Sequence, residues 1–402
     1  MNSGDAVIQL LKKITIVGNI DTKLKAIEPF NNLVTDFLET LSKEILKDKQ
    51  AKNYNDLIAF SFWIRKKNIY NLKKRYSDID DRLGRGIVLH FSSSNIPLNF
   101  AYSLVFGLLS GNLNVVRLSS KDFIQINIFI RIIRKLFDIK KFSKIKRMNS
   151  LVKYEKEKKT NDLLSLICDV RIIWGGDETI NQIRLSQIPP KANELTFFDR
   201  YSFAILNSET IDKLDKKEMN ILCKNFFNDT YYIDQNACSS PHLIIWTGKY
   251  IKNAKKYFWK SMSEYLEKSY IFQESAVVEK YALLLKNSIK LDNIKDKNIK
   301  DNKIYRVSLS NLTKINDVIR GKWGLFYEYD AKNIKDFENI VNYKYQTLSY
   351  FGFDKILLKN LVIKNHLPGI DRIVPIGQAL NIDLIWDGYD VLSNLSRIIN
   401  FK

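Results

Sequence analysis

Gly86-Ile87-Val88-Leu89-His90-Phe91, followed by Ser92-Ser93-Ser94-Asn95-Ile96-Pro97, is the stretch on which the fold turns. The first six residues are a short apolar run bounded by Gly and Ser, the pattern of a buried strand. The next six read as a loop. Leu98 to Leu109 reads as a helix that stops at Ser110-Gly111-Asn112. Asn114-Val115-Val116-Arg117-Leu118 is a second strand, and Phe123 to Phe137 a second helix. This β-α-β-α alternation points to a parallel sheet covered by helices.

Working outward, Asp169 to Trp174 repeats the strand pattern and Gly175-Gly176-Asp177 turns into a helix from Glu178 to about Ile183. Tyr201 to Leu206 reads as a fourth strand of this sheet, and the charged stretch 139–161 as a surface connection. Residues 1–80 read as helices. Leu10, Leu11, Ile14 and Ile16 share one amphipathic stretch, and Phe30, Leu33, Val34, Phe37, Leu38, Leu41 and Ile45 follow helical spacing. After about residue 208, strands are expected at 243–246, 305–309 and 323–329, with a helix at 254–268. The Lys/Asp/Asn-rich stretch 290–303 reads as a mobile loop. The tail reads as a strand near Arg372 to Ile376 and a helical segment ending near Ile399.

Composition narrows the function classes. A chain of 402 residues with 45% hydrophobic content suits two or three domains. The net charge of +20 raises nucleic-acid binding as a reading. The lysines, however, are spread along the chain among Asn, Ile and Asp, so no nucleic-acid partner is expected; such a charge also attracts phosphorylated cofactors. No apolar run approaches the roughly 20 residues of a membrane span. Residues 1–20 carry Asp5 and Lys12-Lys13, unlike a secretory leader. Three widely spaced cysteines fit free thiols in a reducing cytoplasm. His90, His242 and His366 lie far apart and no Cys/His spacing suits zinc, so no metal is expected.

Candidate chemistry gathers at four places. Asn95 stands in the loop after the first strand, where its amide can donate to an oxyanion; an N-cap role for Ser94 or Asn95 is the plain alternative. Gly175-Gly176-Asp177-Glu178-Thr179 lies between strand and helix, where backbone N–H groups can meet phosphates, or it is simply a tight turn. Arg117 ends a strand at the same face and is either a phosphate ligand or a solvated base. Cys168 and Cys223 lie among apolar residues and read as core. Cys238 lies in Asp234-Gln235-Asn236-Ala237-Cys238-Ser239-Ser240-Pro241-His242, a small and polar setting, possibly at a helix start, that leaves sulfur accessible. His242 is its candidate base or the first residue of a strand.

Three blocks carry a family resemblance. Gly86 to Ser103, continuing through Gly107 to Leu118, resembles the long-chain acyl-CoA reductases of the bioluminescence fatty-acid reductase type (LuxC). Gln235-Asn236-Ala237-Cys238-Ser239-Ser240-Pro241 resembles their nucleophile segment, and Gly369 to Gly377 with Trp386 to Arg397 their tail. That family is similar to the aldehyde dehydrogenase superfamily. The likeness implies an α/β fold with a helical N-terminal region (1–80), a Rossmann-type nicotinamide-cofactor domain (81–207), an α/β catalytic domain carrying Cys238 (208–370) and a C-terminal return segment (371–402). It implies Cys238 as nucleophile and Asn95 as oxyanion donor. It sets Arg117 where the superfamily has a Lys near the adenosine ribose, which favours NADPH over NADH. It puts Gly175, Gly176, Asp177 and Thr179 near the pyrophosphate, and Asp371 at the nicotinamide ribose. The superfamily's Glu-Leu-Gly-Gly block is replaced by Asn193-Glu194-Leu195-Thr196. Losing a water-activating Glu favours acyl reduction over aldehyde oxidation, with Glu194 or Asp199 left to assist proton transfer. A fatty acyl-CoA or acyl-protein donor, an acyl-protein synthetase partner and a homo-oligomer are further implications.

Overall fold

The computed structural model describes residues 3–155 and 157–401, and the side chains from Asp5 onward. The chain divides into two compact units, residues 1–198 with 383–402, and residues 199–382.

In the first unit, helices α1 (Ser3–Ile14), α2 (Asn32–Lys47), α3 (Asn55–Trp63) and α4 (Lys66–Lys73) surround strands β1 (Thr15–Gly18) and β2 (Arg82–Gly84) in sequence. The alternating part follows: β3 (Ile87–Phe91), α5 (Asn99–Leu109), β4 (Leu113–Arg117), α6 (Ile124–Phe137), α7 (Ser143–Met148), β5 (Asn149–Val152), α8 (Lys158–Ser165), β6 (Val170–Trp174), α9 (Asp177–Arg184) and β7 (Asn193–Phe197). The sheet order is β1-β5-β4-β3-β6-β7; all neighbours from β5 to β7 are parallel and β1 is an antiparallel edge. Counting only parallel strands, the order is third, second, first, fourth, fifth. That is a doubly wound sheet whose strand order reverses between β3 and β6, and the crevice beyond the carboxyl ends of those two strands is its natural ligand site.

The apolar stripe expected in α2 is the buried one, with Val34, Phe37, Leu38, Leu41 and Ile45 at 1% exposure or less. Phe37 stacks on Phe137 of α6 and meets Phe142 edge-on. Four local expectations need correction. The first amphipathic stretch is not helical throughout, because the β-branched run Thr15-Ile16-Val17 leaves the helix and pairs with β5. The supposed surface connection contains β5, whose four residues are all buried. Charged flanks hide it, and its polar residues are satisfied internally: Asn149 accepts from Asn114 at 2.9 Å and donates to the Ile145 carbonyl at 2.6 Å. The fifth parallel strand is β7, whose half-buried, mixed residues give no apolar run. Finally, the tail helix stops at Leu395, and Ser396–Ile398 pairs antiparallel with β2.

The second unit begins with β8 (Tyr201–Asn207), which belongs to this sheet and not to the first. It continues through α10 (Ser208–Asp212), α11 (Lys216–Asp229), β9 (Pro241–Thr247), α12 (Ile251–Ser269), α13 (Glu274–Lys290), β10 (Ile294–Asp301), β11 (Ile304–Leu309), β12 (Leu325–Asp330), β13 (Tyr345–Phe351), α14 (Lys355–Lys364) and β14 (Arg372–Pro375). The order is β10-β11-β12-β9-β8-β13-β14, parallel except for β10. Alternation along the strands builds two cores. Phe203, Ile205, Leu243 and Ile245 face one side, and Ala204, Leu206, Ile244 and Trp246 the other. The stretch expected to be a mobile loop is mostly β10, an edge strand. Its lysines and aspartates are what an exposed edge carries to discourage pairing with another chain.

Candidate active site

Burial separates the three thiols. Cys168 and Cys223 are buried, and desolvation pushes both thiols up to about 12, which leaves them inert. Cys238 alone keeps partial exposure. It does not start a helix; it lies in a tight turn that leads into β9. The turn is held by Gln235, which is 2% exposed. Its side-chain amide donates to the Pro241 and Leu325 carbonyls at 3.3 Å, and its carbonyl accepts the Gly324 N–H at 2.9 Å. Asp234 and Gln235 both adopt left-handed backbone, with φ of 53° and 57°. Such strain in consecutive non-glycine residues persists only where surrounding bonds over-determine it. The carbonyl of Cys238 itself accepts from Ser202 Oγ at 2.6 Å, which fixes the turn to the start of β8.

Around the sulfur stand groups from three amino ends of strands. The Sγ lies 3.9 Å from Asp199 Oδ1, just ahead of β8. Asp199 Oδ2 is paired with Arg320 at 3.1 Å, just ahead of β12. Both partners are partly open to solvent, with side-chain exposures of 52% and 26%. The arrangement can take a proton from the thiol and hold it on a carboxylate. His242 is the second residue of β9, not an exposed base. It is 2% exposed, its Nδ1 accepts the Gly321 N–H at 3.3 Å, and burial pushes it down to about 3.

In the first unit, the carboxyl ends of β3, β4 and β6 carry the expected cofactor residues. Asn95 is exposed, and neither it nor Ser94 caps α5: the helix begins after Leu98, with no side-chain cap. Beside Asn95 in sequence, the hydroxyls of Ser92 and Ser93 are buried without a partner. Arg117 ends β4. Its guanidinium lies 4.7 Å over the Tyr154 ring and donates to the Tyr154 carbonyl at 3.3 Å, while Nε is buried without a partner. Immediately after it, Leu118, Ser119, Lys121, Asp122 and Phe123 line a cleft of about 230 Å³ together with Ile126 and Lys153, and Lys153 pairs with Asp122 at 2.9 Å. An orphaned guanidinium N–H at the carboxyl end of β4 has the donor chemistry that a phosphorylated ribose needs. Gly175 and Gly176 follow β6; a Cβ at Gly176 would meet nothing within 4 Å, so space is open above that turn. Asp177 and Glu178 occupy the first turn of α9, and the Thr179 side chain lies against Gly175.

Two further residues are tied up in ion pairs. Glu194 on β7 pairs with Arg171, which is 3% exposed, and accepts from Arg184 Nε at 2.7 Å. Asp371 pairs with the buried Arg200, which also donates to the Tyr345 carbonyl at 2.6 Å. Sequence reading missed Arg320 and the Gln235 staple. Arg320 has no local motif, and Gln235 was visible only as part of a segment.

Comparison with known proteins agrees with this architecture. The family model described as acyl-CoA reductase (LuxC) matches residues 22–398. A long-chain acyl-protein thioester reductase of Aliivibrio fischeri is 23% identical over 324 residues, covering 79% of this chain and 63% of that protein. The corresponding reductase of Photorhabdus luminescens is 22% identical over 331 residues, with the same coverages. The chain thus spans about 63% of the length of these relatives. Among solved structures, aldehyde dehydrogenase 21 of Physcomitrella patens superposes with a TM-score of 0.63 at 10% identity, covering 98% of this chain and 88% of that one. Lactaldehyde dehydrogenase of Escherichia coli gives 0.62 at 12% identity, covering 98% and 89%. With a doubly wound sheet, a second parallel sheet bearing the one accessible thiol, and a family match across nearly its whole length, the chain belongs to the acyl-CoA reductase (LuxC) family and has the aldehyde dehydrogenase fold.

Proposed function

We propose that the protein reduces a long-chain acyl thioester, presented as acyl-CoA or on an acyl-protein, to the fatty aldehyde through a thioester on Cys238. The observation that carries this reading is the contrast among the thiols: two are buried and inert, and the third stands open beside a carboxylate. Asp199 Oδ1 accepts the thiol proton as the sulfur attacks the acyl carbonyl carbon. The C–S bond to the donor breaks, and the donor thiolate takes up a proton and leaves as thiol. Arg320 holds the Asp199 carboxylate in place by its other oxygen. The Cys238 backbone N–H is the proposed oxyanion donor of this unit, and the family resemblance gives Asn95 the same role; losing one such donor costs about 10²–10³ in rate.

NADPH is the proposed cofactor, with Arg117 and its unpartnered Nε holding the 2′-phosphate. Gly175, Gly176, Asp177 and Thr179 are the proposed pyrophosphate turn, and Asp371 the proposed ribose ligand. When bound, the reduced nicotinamide supplies the hydride that converts the acyl group to the aldehyde level. The chain's own residues then release the product, as the sulfur departs as thiolate and recovers its proton from Asp199. Glu194 has a structural use in the ion pairs with Arg171 and Arg184, so Asp199 is the stronger proton carrier. The test is Cys238→Ser incubated with radiolabelled acyl-CoA and NADPH. Loss of both protein-bound label and aldehyde is expected; aldehyde formation near the wild-type rate would overturn the scheme.

A further inference from the structure

His242 follows Cys238 by four residues, yet its burial denies it the role of base. The strand pairing gives it another. Ser202 lies opposite Pro241 and Phe203 opposite Leu243, so His242 is the extra residue of a bulge between β8 and β9. Bulges re-aim side chains, and they recur beside active sites. At this one the Ser202 hydroxyl reaches the Cys238 carbonyl at 2.6 Å, and the His242 ring reaches the N–H of Gly321 at 3.3 Å. Gly321 is buried and packs so closely on the Leu325 carbonyl that a Cβ there would lie 1.7 Å from its oxygen. The residue before it is Arg320, whose guanidinium holds Asp199 Oδ2 at 3.1 Å and stands 5.8 Å over the Tyr201 ring. The His242 ring lies against that same Tyr201 ring, with 5.5 Å between centroids.

We propose that His242 is a positioning residue for the reduction: by accepting the Gly321 N–H it sets Arg320 against Asp199, and so aims the carboxylate that receives the Cys238 proton. The inference rests on the reading of Asp199 as proton carrier. Asn287 of α13 donates to the Arg320 carbonyl at 2.9 Å. With Asn287 on its carbonyl and His242 on its N–H, the Arg320–Gly321 peptide is clamped at both poles, which fixes where the Arg320 side chain starts. Further along, Gln235 of the nucleophile turn accepts from the Gly324 N–H at 2.9 Å, so turn and segment are fastened to each other. Accepting at Nδ1 requires a neutral ring with its proton on Nε2. Burial, and then the charge of Arg320, keep the ring in that form. A cation at this position would lose the acceptor and repel Arg320.

The test is a double-mutant cycle in the full chain, reading kcat and KM for aldehyde formation from palmitoyl-CoA and NADPH, with thermal unfolding measured alongside. His242→Phe keeps a ring against Tyr201 and removes the acceptor. His242→Leu removes it with a smaller side chain, should the Phe variant not fold. His242→Asn keeps an acceptor oxygen where Nδ1 stood. For Phe or Leu, kcat is expected to fall about tenfold or more, since a small misplacement of a reacting group is costly. KM should stay within about twofold of wild type, and His242→Asn should keep kcat within a few fold. In an Arg320→Ala background, His242→Phe should lower kcat by less than about twofold, because the group it positions is gone. Phe and Leu variants at the wild-type rate, an Asn variant as slow as Phe, or losses that multiply fully in the double variant would overturn the inference. Arg320→Ala at the wild-type rate would overturn it together with the reading of Asp199. A slow Arg320→Ala beside a normal His242→Phe would overturn it alone.

Discussion

Replacing Glu194 by Ala separates the structural use of that carboxylate from the proton-transfer role implied by the family resemblance. Arg171 is 3% exposed, and its Nε donates to Glu194 Oε2 at 2.7 Å. Its Nη1 donates to the Ser186 carbonyl at 2.6 Å and to the Ile183 carbonyl and Ser165 hydroxyl at 3.3 Å. Removing the carboxylate leaves a buried cation with dipoles alone. Breaking a buried pair in this way costs about 3–5 kcal/mol. The three remaining acceptors, and the 15% exposure of the Glu194 side chain, place this case at the lower end, about 3 kcal/mol. For a unit of this size that lowers the melting temperature by about 6–12 °C. Glu194→Gln keeps one acceptor oxygen and the volume, and is expected to lose about half as much. The assay is thermal unfolding of both variants, beside aldehyde formation measured well below either transition. Expected is a large thermal shift with aldehyde formation within a few fold of wild type. An unshifted transition with activity down about a hundredfold would refute the argument and return Glu194 to the reaction.

Other outcomes follow from the same geometry. Asp199→Asn removes the proton acceptor 3.9 Å from Sγ, so aldehyde formation at neutral pH should fall about 10²-fold with the thermal transition unmoved; a rate within a few fold of wild type would contradict the proton-carrier role. Arg117→Lys should shift the kcat/KM ratio away from NADPH and toward NADH, whereas an unchanged ratio would remove Arg117 from the 2′-phosphate. His90 is buried between Ser103 and Asn114, and desolvation pushes it down to about 4. Its unfolded pKa is near 6.5, so the unfolded chain binds the extra proton between these values. Its contribution is therefore complete above pH 6.5 and is lost as pH falls toward 4, to a total of about 3 kcal/mol. Urea titrations from pH 7 to pH 4 should show that loss in the wild type and a flatter profile in His90→Asn.

The legible parts of the sequence were those where burial on both faces writes a continuous apolar run. Ile87 to Phe91 is such a run but for His90, Val115-Val116 and Ile172 to Trp174 are the apolar centres of β4 and β6, and the helices between them point to a parallel topology. Strands without that run escaped. β5 is four residues with two buried polar side chains, β7 is half-exposed, and β10 is charged along its length. Tyr201 to Leu206 was legible as a strand but not as to its sheet, because sequence patterning sets burial and not partners. In the site, the small polar surroundings of Cys238 and the apolar surroundings of Cys168 and Cys223 ranked the thiols as their burial does. The Asp199–Arg320 pair joins residues 121 positions apart through the arrangement of strand ends, and no spacing rule reaches that far.

The division of the chain has a consequence for its biosynthesis. Residues 199–382 are inserted between two pieces of a host, 1–198 and 383–402. On the ribosome, the insert has all its own residues before the host does. The host waits for the piece that follows residue 382, which supplies Ser396–Ile398, the antiparallel neighbour of β2. Until those residues emerge, β2 lacks its strand partner, and unpaired strands are the kind of surface on which nascent chains aggregate. A chain stopped shortly after residue 382 therefore holds every residue of the thiol-bearing unit and an incomplete host.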